Sequence, residues 1–167
     1  MKLLVAALDQ SHDLTQFRSG NAELDEWLRD HSGQATGHGT RTYVVLDEAS
    51  TIVGYFAIVP HLIARAEAPM KLARGAPREI PAILLAKLAL AEGLHGQGLG
   101  ASLLVLALGV VLDAARRAGG KIVVVDAIDE RAAAFYEHHD FQKLPDRPDR
   151  LVMKLSTVAR ALGADWP

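Results

Sequence analysis

The order of apolar and polar positions predicts that the chain starts with a short strand and an amphipathic helix. Residues 1–8 form an apolar run that ends before Asp9, and we interpret it as a first β-strand because no cleavage site typical of a signal peptide follows. Asn21 is a typical N-cap for the helix. The apolar stripe of this helix is made of Leu24, Trp27, Leu28 and His31. The glycines expected to end it are Gly33, Gly37 and Gly39.

The middle of the chain predicts a hairpin and then an irregular segment. Residues 40–46 and 51–59 are rich in β-branched side chains and flank a polar turn, which is typical of two antiparallel strands. Gly54 lies inside the second strand, where a glycine indicates a bulge or the close approach of another backbone. Residues 61–81 are interrupted by prolines and a glycine, so we expect this segment to be irregular.

The second half of the chain predicts two buried strands, two helices and a last strand. Residues 82–90 and 121–127 are apolar, as expected for central strands that are covered on both faces. A loop at 92–100 leads into a helix at 101–118, and Asp129 is expected to cap a short helix at 131–139. Residues 150–155 predict a last strand, and the tail predicts a weak helix. This order indicates a mixed α/β fold around one sheet, in a single domain covering residues 1–167.

Composition narrows the classes of protein to which the chain can belong. Its 167 residues are 50% hydrophobic and 23% charged, which is typical of one globular domain. The absence of cysteine excludes disulfides, a thiol nucleophile and cysteine-ligated metal sites, and we expect no metal. The apolar run at 99–112 is about 14 residues long, whereas a bilayer span needs about 20. We therefore expect a soluble cytoplasmic protein with no membrane partner.

The most informative segment joins a buried strand to a long helix through a glycine-rich loop, which contains Gly96, Gly98 and Gly100. Glycines at alternate positions let successive backbone N–H groups point into one concavity. The helix N-terminus adds unpaired donors and a partial positive charge, so the segment favours a bound phosphate or pyrophosphate. The spacing excludes a P-loop and a dinucleotide-binding G-x-G-x-x-G motif. An ordinary glycine-rich turn remains the alternative.

This segment resembles the acyl-coenzyme A loop of the GNAT N-acetyltransferase superfamily, Q/R-x-x-G-x-G/A, with His95 where the family usually has Gln or Arg. The resemblance implies a GNAT-like fold, with one central, mixed and mostly antiparallel sheet that has a splayed central strand pair and is flanked by helices. It also implies acetyl-coenzyme A (acetyl-CoA) as the cofactor, with its pyrophosphate on the loop backbone and its pantetheine arm paired with the splayed strand. The implied cofactor-binding residues are Leu88, Ala89, Leu90, His95, Gly96, Gln97, Gly98, Leu99, Gly100, Ala101 and Asp129.

Residues 129–136 resemble a second landmark of the superfamily, N-x-x-A-x-x-F-Y. Asp129 takes the position of the Asn and can still cap a helix, although a carboxylate cannot donate to a pantetheine carbonyl. Tyr136 takes the position of the tyrosine that protonates the departing thiolate, so the resemblance implies that Tyr136 is the catalytic acid. Candidates for a general base are matched by residue type alone: His61, Glu67, Glu79 and Glu92. A water chain or a partly neutral amine is the alternative.

Residues 17–28 resemble the F-x-x-G-x-x-x-L-D-x-W-L opening of one GNAT subgroup, the acetyltransferase toxins of bacterial toxin–antitoxin pairs. This resemblance implies acetylation of the α-amino group of aminoacyl-tRNA, neutralisation by a ribbon-helix-helix antitoxin, and a homodimer. Two alternatives stay open. One is an acetyltransferase for a small-molecule amine or a protein amino group, and the other is a non-catalytic module that binds acyl-coenzyme A.

The charge distribution bears on the acceptor. The formal net charge is -2, whereas proteins that grip RNA use Lys and Arg against phosphate. Between residues 65 and 87, however, five basic residues stand against two acidic ones. The expected substrate contacts are Arg74 and Arg78 in this segment and Arg41 in the predicted hairpin. Solvated surface charge is the alternative for each of them.

Overall fold

The chain folds into seven β-strands and six α-helices, and the computed structural model describes residues 1–167. The strands are β1 (Leu4–Ala7), β2 (Arg41–Leu46), β3 (Ile52–Ala64), β4 (Glu79–Leu90), β5 (Ile122–Asp126), β6 (Gln142–Leu144) and β7 (Arg147–Lys154). The helices are α1 (Ala22–Glu26), α2 (Ser32–Gly37), α3 (Met70–Ala73), α4 (Leu99–Ala118), α5 (Glu130–His138) and α6 (Leu155–Leu162). A π-helical turn, Trp27–His31, joins α1 to α2.

Hydrogen-bonded neighbours give the strand order β1-β2-β3-β4-β5-β7-β6 in a mixed sheet. The pairs β1–β2, β2–β3, β5–β7 and β6–β7 are antiparallel, whereas β4 pairs with β5 in parallel. This confirms the predicted mixed, mostly antiparallel sheet. The parallel pairing ends where Leu85 meets Val125, and β4 continues to Leu90. Pairing that stops before the end of β4 is expected if the two central strands diverge, as predicted.

Contacts divide the chain into two compact units. The first unit contains residues 1–59 and 86–107, and the second unit contains residues 60–85 and 108–167. By these bounds, β3, β4 and α4 each contribute residues to both units. Each unit has its own buried side chains, and the assignment of the whole chain to a single domain stays a prediction.

The core of the first unit gathers aromatic and aliphatic side chains, namely Phe17, Leu28, Val44, Tyr55 and Ala89. The ring of Tyr55 contacts Phe17 edge-on at 5.7 Å and stacks on Trp27 at 6.0 Å, measured between ring centroids. Its hydroxyl donates to the carbonyl of Leu24 at 2.7 Å. Tyr55 therefore anchors α1 and the π-helical turn to the sheet while keeping its own polar atom satisfied.

Gly54 fulfils both predicted roles. Opposite it, β2 and β3 shift register, because Leu46 pairs with Ile52 rather than with the residue next to Gly54. A Cβ built at Gly54 would lie 3.1 Å from the carbonyl oxygen of Ala89 and 3.2 Å from the side chain of Leu103. The glycine thus permits a bulge and the close approach of the end of β4.

The N-terminal helix begins as predicted but does not end at the first glycine. The side chain of Asn21 accepts a hydrogen bond from the N–H of Leu24 at 3.1 Å, which confirms Asn21 as the N-cap. The helical conformation continues through Gly33, and the helix ends at Gly37. The prediction that Gly33 stops the helix is therefore wrong, since one glycine inside a helix lowers its stability without breaking it.

The buried stripe of this helix also differs from the prediction. His31 is exposed, and Ser32 is buried in its place, with its hydroxyl donating to the carbonyl of Leu28 at 2.6 Å. The π-helical turn explains the difference, because its wider winding advances the stripe by one residue relative to the regular helical period.

The second unit contains more regular structure than predicted. Strand β3 continues to Ala64 and β4 begins at Glu79. Both ends of the segment 61–81 therefore have β conformation, and α3 lies between them. The N–H of Arg65 donates to the carbonyl of Arg78 at 2.8 Å and closes this connection. The pattern also does not predict β6, and it places the start of β7 too late. The buried side chains of this unit include Ile63, Ile80, Ile122, Val124, Leu144 and Val152.

Helix α4 is longer than the apolar run at 99–112, whose length is the reason that no membrane span is expected. An 18-residue window of this 20-residue helix has a mean hydropathy of 1.8, so by length and composition alone the helix is able to cross a membrane. Its buried positions recur every three or four residues, at Leu104, Ala107, Leu108, Val111, Leu112 and Ala115. This periodic burial is typical of the core helix of a globular protein. The helix begins at Leu99 rather than at 101.

Candidate active site

The glycine loop, residues 91–98, lies in the first unit between the end of β4 and the start of α4. A 3-10 turn, Glu92–Leu94, follows the strand, and α4 begins at Leu99. Gly96 and Gly98 have φ angles of +78° and +76°, a left-handed conformation that other residues rarely adopt. The loop therefore requires glycine at the two alternate positions that the sequence singles out.

The glycines of the loop face open space on the side where other residues would carry a side chain. A Cβ built at Gly93, Gly96 or Gly98 would meet no other atom within 4 Å. The first N–H groups of a helix have no partner within it, and its dipole favours an anion. Gly100 and Ala101 lie in this first turn of α4. An open, glycine-lined loop with these donors fits the pyrophosphate of acetyl-CoA.

His95 is exposed and has a hydrogen bond that the sequence does not indicate. Its Nε2 lies 2.9 Å from the carbonyl oxygen of Leu90, the last residue of β4. A carbonyl only accepts, so the ring donates through Nε2. The side chain of Gln97 donates to the carbonyl of Gly93 at 3.4 Å. Both side chains thus bind the backbone at the start of the glycine loop.

Two backbone hydrogen bonds of 2.8 Å attach the start of the glycine loop to other segments of the first unit. The N–H of Ala91 donates to the carbonyl of Val53, and the N–H of Glu92 donates to the carbonyl of Arg18. Gly20, with a φ of +89°, lies beside Glu92, whose Oε2 would be 3.4 Å from a Cβ built there. The F-x-x-G segment and the glycine loop are therefore neighbours, although they are far apart in the sequence.

Asp129 and Tyr136 lie in the second unit, at the start of α5 and near its end. The Asp129 side chain accepts the N–H of Ala132 at 2.7 Å, which confirms it as the N-cap. Tyr136 is 8% exposed, and its ring packs against Phe141 at 5.4 Å. Burial raises the pKa of the Tyr136 phenol to about 12. At neutral pH this group therefore holds its proton and is able to donate it.

A polar cluster that the sequence does not indicate lies elsewhere in the second unit. The guanidinium of Arg150 donates to both carboxylate oxygens of Asp126, at 2.7 and 2.8 Å. Its Nη1 lies 2.8 Å from Nε2 of His61, which must accept because arginine has only donors. Burial, followed by the charge of Arg150, lowers the pKa of His61.

His61 is therefore a poor general base, because the lone pair that would take a proton already accepts from a guanidinium. Sequence reasoning selects it by residue type and misses this partner, which lies on a distant strand. The other candidates chosen by type are exposed and remain without geometric support: Glu67, Glu79 and Glu92.

Two of the predicted substrate arginines line one groove of the second unit, which we call the arginine groove. It has a volume of about 630 Å³ and is lined by Arg65, Arg74, Arg78, Met70 and three alanines. All three arginines are exposed, and the Arg65 side chain donates to the carbonyl of Ala76 at 3.0 Å. The groove thus combines three cationic side chains with an apolar lining.

Arg41, the third predicted substrate arginine, lies in the first unit at the start of β2. Its guanidinium donates to the carbonyls of Thr36 at 3.3 Å and Thr40 at 3.2 Å. These contacts tie the end of α2 to the sheet. A role for Arg41 toward substrate stays a prediction.

Similarity to known proteins identifies the family. The family model described as an acetyltransferase (GNAT) domain matches residues 38–143, a range that includes the glycine loop, Asp129 and Tyr136. The tRNA-acetylating toxin of Mycobacterium tuberculosis is 35% identical over 159 residues, which cover 95% of this chain and 95% of that protein.

Two solved structures are similar over almost their whole length. AtaT complexed with acetyl-methionyl-tRNAfMet is 27% identical, with a TM-score of 0.85, and the match covers 96% of this chain and 99% of that one. AtaTR bound with acetyl-CoA is 25% identical, with a TM-score of 0.80 and coverage of 96% and 98%. The chain belongs to the GNAT acetyltransferase family.

Proposed function

We propose that this protein is a toxin that transfers the acetyl group of acetyl-CoA to the α-amino group of an aminoacyl-tRNA. The observation that carries the proposal is the open glycine loop at the start of α4, in a chain that is 35% identical to a tRNA-acetylating toxin. An acetylated α-amino group is no longer a nucleophile for peptide-bond formation. Translation would therefore stop when the charged tRNA is modified.

The proposed donor site uses backbone groups of the first unit. When bound, acetyl-CoA supplies a thioester whose acetyl carbon is open to attack by an amine. The N–H groups of residues 96–100 would hold its pyrophosphate, and the backbone of residues 88–90 would pair with its pantetheine arm as an added strand. The chain has no cysteine to carry the acetyl group, which favours direct transfer to the acceptor.

The proposed acid is Tyr136. As the N–C bond forms and the C–S bond breaks, its hydroxyl gives a proton to the departing sulfur, and the proton released by the amine restores it. The raised pKa supports this role, because the phenol is protonated throughout the neutral range. A free α-amino group has an ordinary pKa of about 7.7–8.0, so a sizeable fraction is neutral without a dedicated base.

The arginine groove is the proposed contact for the tRNA. Arg74 and Arg78 are exposed and stand close to Arg65, so the groove concentrates positive charge on a chain whose net charge is -2. Affinity for nucleic acid comes largely from such contacts with phosphate. A small-molecule amine would not need a groove with this charge, and this favours tRNA as the acceptor.

The proposal extends to partners and location. The resemblance of residues 17–28 to the toxin subgroup supports neutralisation by a ribbon-helix-helix antitoxin and assembly as a homodimer. A protein that acts on aminoacyl-tRNA works in the cytoplasm, where charged tRNA is used.

Controlled expression in a bacterial host tests the toxin proposal. Induction of the wild-type chain is expected to arrest growth, whereas the Tyr136→Phe variant at the same protein level is expected to permit it. Normal growth with the wild type, or equal arrest by both proteins, would contradict the proposal.

A further inference from the structure

Asp25 is a buried carboxylate that holds Ser19 of the F-x-x-G segment, residues 17–20. It is 9% exposed and accepts the N–H of Ser19 at 3.0 Å and the hydroxyl of Ser19 at 2.6 Å. The Ser19 hydroxyl also accepts the N–H of Asn21 at 3.2 Å. Three hydrogen bonds thus fix Ser19, which is itself 6% exposed, against the start of α1.

The residues on either side of Ser19 both lie beside Glu92 of the glycine loop. The carbonyl of Arg18 accepts the N–H of Glu92 at 2.8 Å. Gly20 lies against the same residue, since a Cβ built there would be 3.4 Å from Oε2 of Glu92. A shift of Ser19 would therefore move both contacts, whereas the end of β4 has a separate attachment.

His95 continues the connection toward the phosphate-binding glycines. Its Cε1 lies 4.0 Å from the Cβ position built at Gly20, and its Nε2 binds the carbonyl of Leu90 at 2.9 Å. Gly96 is the next residue. A series of neighbouring residues thus leads from the buried carboxylate to the first left-handed glycine of the glycine loop.

We infer that Asp25 is a positioning residue for acetyl-CoA, acting through Ser19 and the hydrogen bond between Arg18 and Glu92. The inference rests on the proposed binding of acetyl-CoA at the glycine loop. Asp25 aligns the backbone N–H groups that receive the pyrophosphate and touches neither substrate. The end of β4 is held independently by the 2.8 Å hydrogen bond from Ala91 to Val53. Loss of the Asp25 carboxylate therefore weakens recognition of the pyrophosphate more than recognition of the pantetheine arm.

The test compares two ligands, of which one contains the pyrophosphate. Acetyl-CoA carries it together with the 3'-phosphoadenosine, and S-acetylpantetheine has the same thioester arm without either group. Dissociation constants are measured by calorimetry for the first ligand and by ligand-observed NMR for the second, with the wild type, Asp25→Asn and Ser19→Ala. Each variant is expected to raise the Kd of acetyl-CoA at least about tenfold and to change the Kd of S-acetylpantetheine by less than about twofold.

Ser32→Ala is the matched control. Ser32 is also a buried serine of the N-terminal helices, but its hydroxyl binds the carbonyl of Leu28 at 2.6 Å, within the helix. This variant is expected to lower the Tm and to leave the Kd of acetyl-CoA unchanged, which separates loss of stability from loss of positioning.

Two outcomes in variants that melt cooperatively would overturn the inference: an unchanged Kd for acetyl-CoA, or an equal loss of affinity for both ligands. Failure of the wild type to bind acetyl-CoA would instead overturn the proposed function, and the inference with it. If the wild type binds acetyl-CoA and Asp25→Asn binds it with the same Kd, the inference is overturned and the proposed function is not.

Discussion

Arg150 and Asp126 face each other on neighbouring antiparallel strands, and the guanidinium holds both carboxylate oxygens, at 2.7 and 2.8 Å. These hydrogen bonds hold the pKa of Asp126 below its ordinary value. His61 accepts from the same guanidinium, and burial lowers its pKa. The cluster is therefore arranged for an ionised Asp126 and a neutral His61, the states that both groups have near neutral pH.

Acid is expected to destabilise the protein through this cluster. A lowered folded-state pKa means that Asp126 contributes stability above the ordinary aspartate value of about 3.9 and loses that contribution as the pH falls through its folded value. His61 follows the same direction, with its loss starting near its ordinary value of about 6.5. Asp126→Asn should lower the free energy of unfolding by about 1 kcal/mol at pH 7, because Asp126 is partly exposed.

Thermal unfolding followed as a function of pH checks this prediction. The difference between the wild type and Asp126→Asn should narrow as the pH falls below about 5, where the carboxylate of Asp126 begins to be protonated in the unfolded chain. A difference that stays constant to about pH 3 would show that the ion pair does not lower the pKa of Asp126.

Gly98→Glu is expected to abolish tight binding of acetyl-CoA. The substitution places a carboxylate in the open concavity of the glycine loop and forces a side chain into the left-handed region, which costs about 1–2 kcal/mol. The Kd measured by calorimetry should rise at least about 100-fold. Gly163→Glu is the control, because Gly163 has a φ of +64° and open surroundings at the end of α6. Unchanged binding in Gly98→Glu would exclude this loop as the pyrophosphate site.

Tyr136→Phe is expected to preserve acetyl-CoA binding and to lower kcat by about 10²- to 10⁴-fold, the usual contribution of general acid catalysis. The ring that packs against Phe141 is retained, so the Tm should change little. Because the phenol has a pKa of about 12, the wild-type rate should show no alkaline decline below about pH 10. Tyr43→Phe, at a tyrosine stacked on Phe56 in the first unit, is the control. Full activity of Tyr136→Phe would remove Tyr136 as the acid.

The double variant Arg74→Glu and Arg78→Glu is expected to weaken tRNA binding at least about tenfold and to reduce its dependence on salt. Each lost phosphate contact should lower the slope of log K against log salt by about 0.7–0.9. Arg117→Glu, at an exposed position near the end of α4, changes net charge at another place and serves as the control. Filter binding at several salt concentrations measures both quantities. An unchanged slope would show that the arginine groove does not contact phosphate.

The features that the sequence predicts correctly depend on residues acting on their own neighbours. Asn21 and Asp129 cap helices because their side chains reach an N–H three residues ahead. Gly96 and Gly98 adopt left-handed backbone angles, and Gly54 leaves room for another strand. Each of these roles is determined by residue type and short spacing, so a pattern of letters is enough to indicate it.

The features that the sequence does not predict depend on distant partners or on small departures from regular geometry. The bond of Arg150 to His61 and the bond of Glu92 to Arg18 join segments that only the fold brings together. The π-helical turn moves burial from His31 to the following residue, and no apolar pattern indicates it. Strand β6 has only three residues, mostly exposed, and pairing with β7 rather than its own composition makes it a strand.

Mass spectrometry of aminoacyl-tRNA that has been incubated with the purified protein and acetyl-CoA tests the proposed function most directly. We predict that nuclease digestion releases aminoacyl-adenosine carrying one acetyl group on its α-amino nitrogen. Incubation with Tyr136→Phe should give much less of this product, and omission of acetyl-CoA should give none. Unmodified aminoacyl-adenosine, from a wild-type protein that binds acetyl-CoA and acetylates a small amine instead, would contradict it.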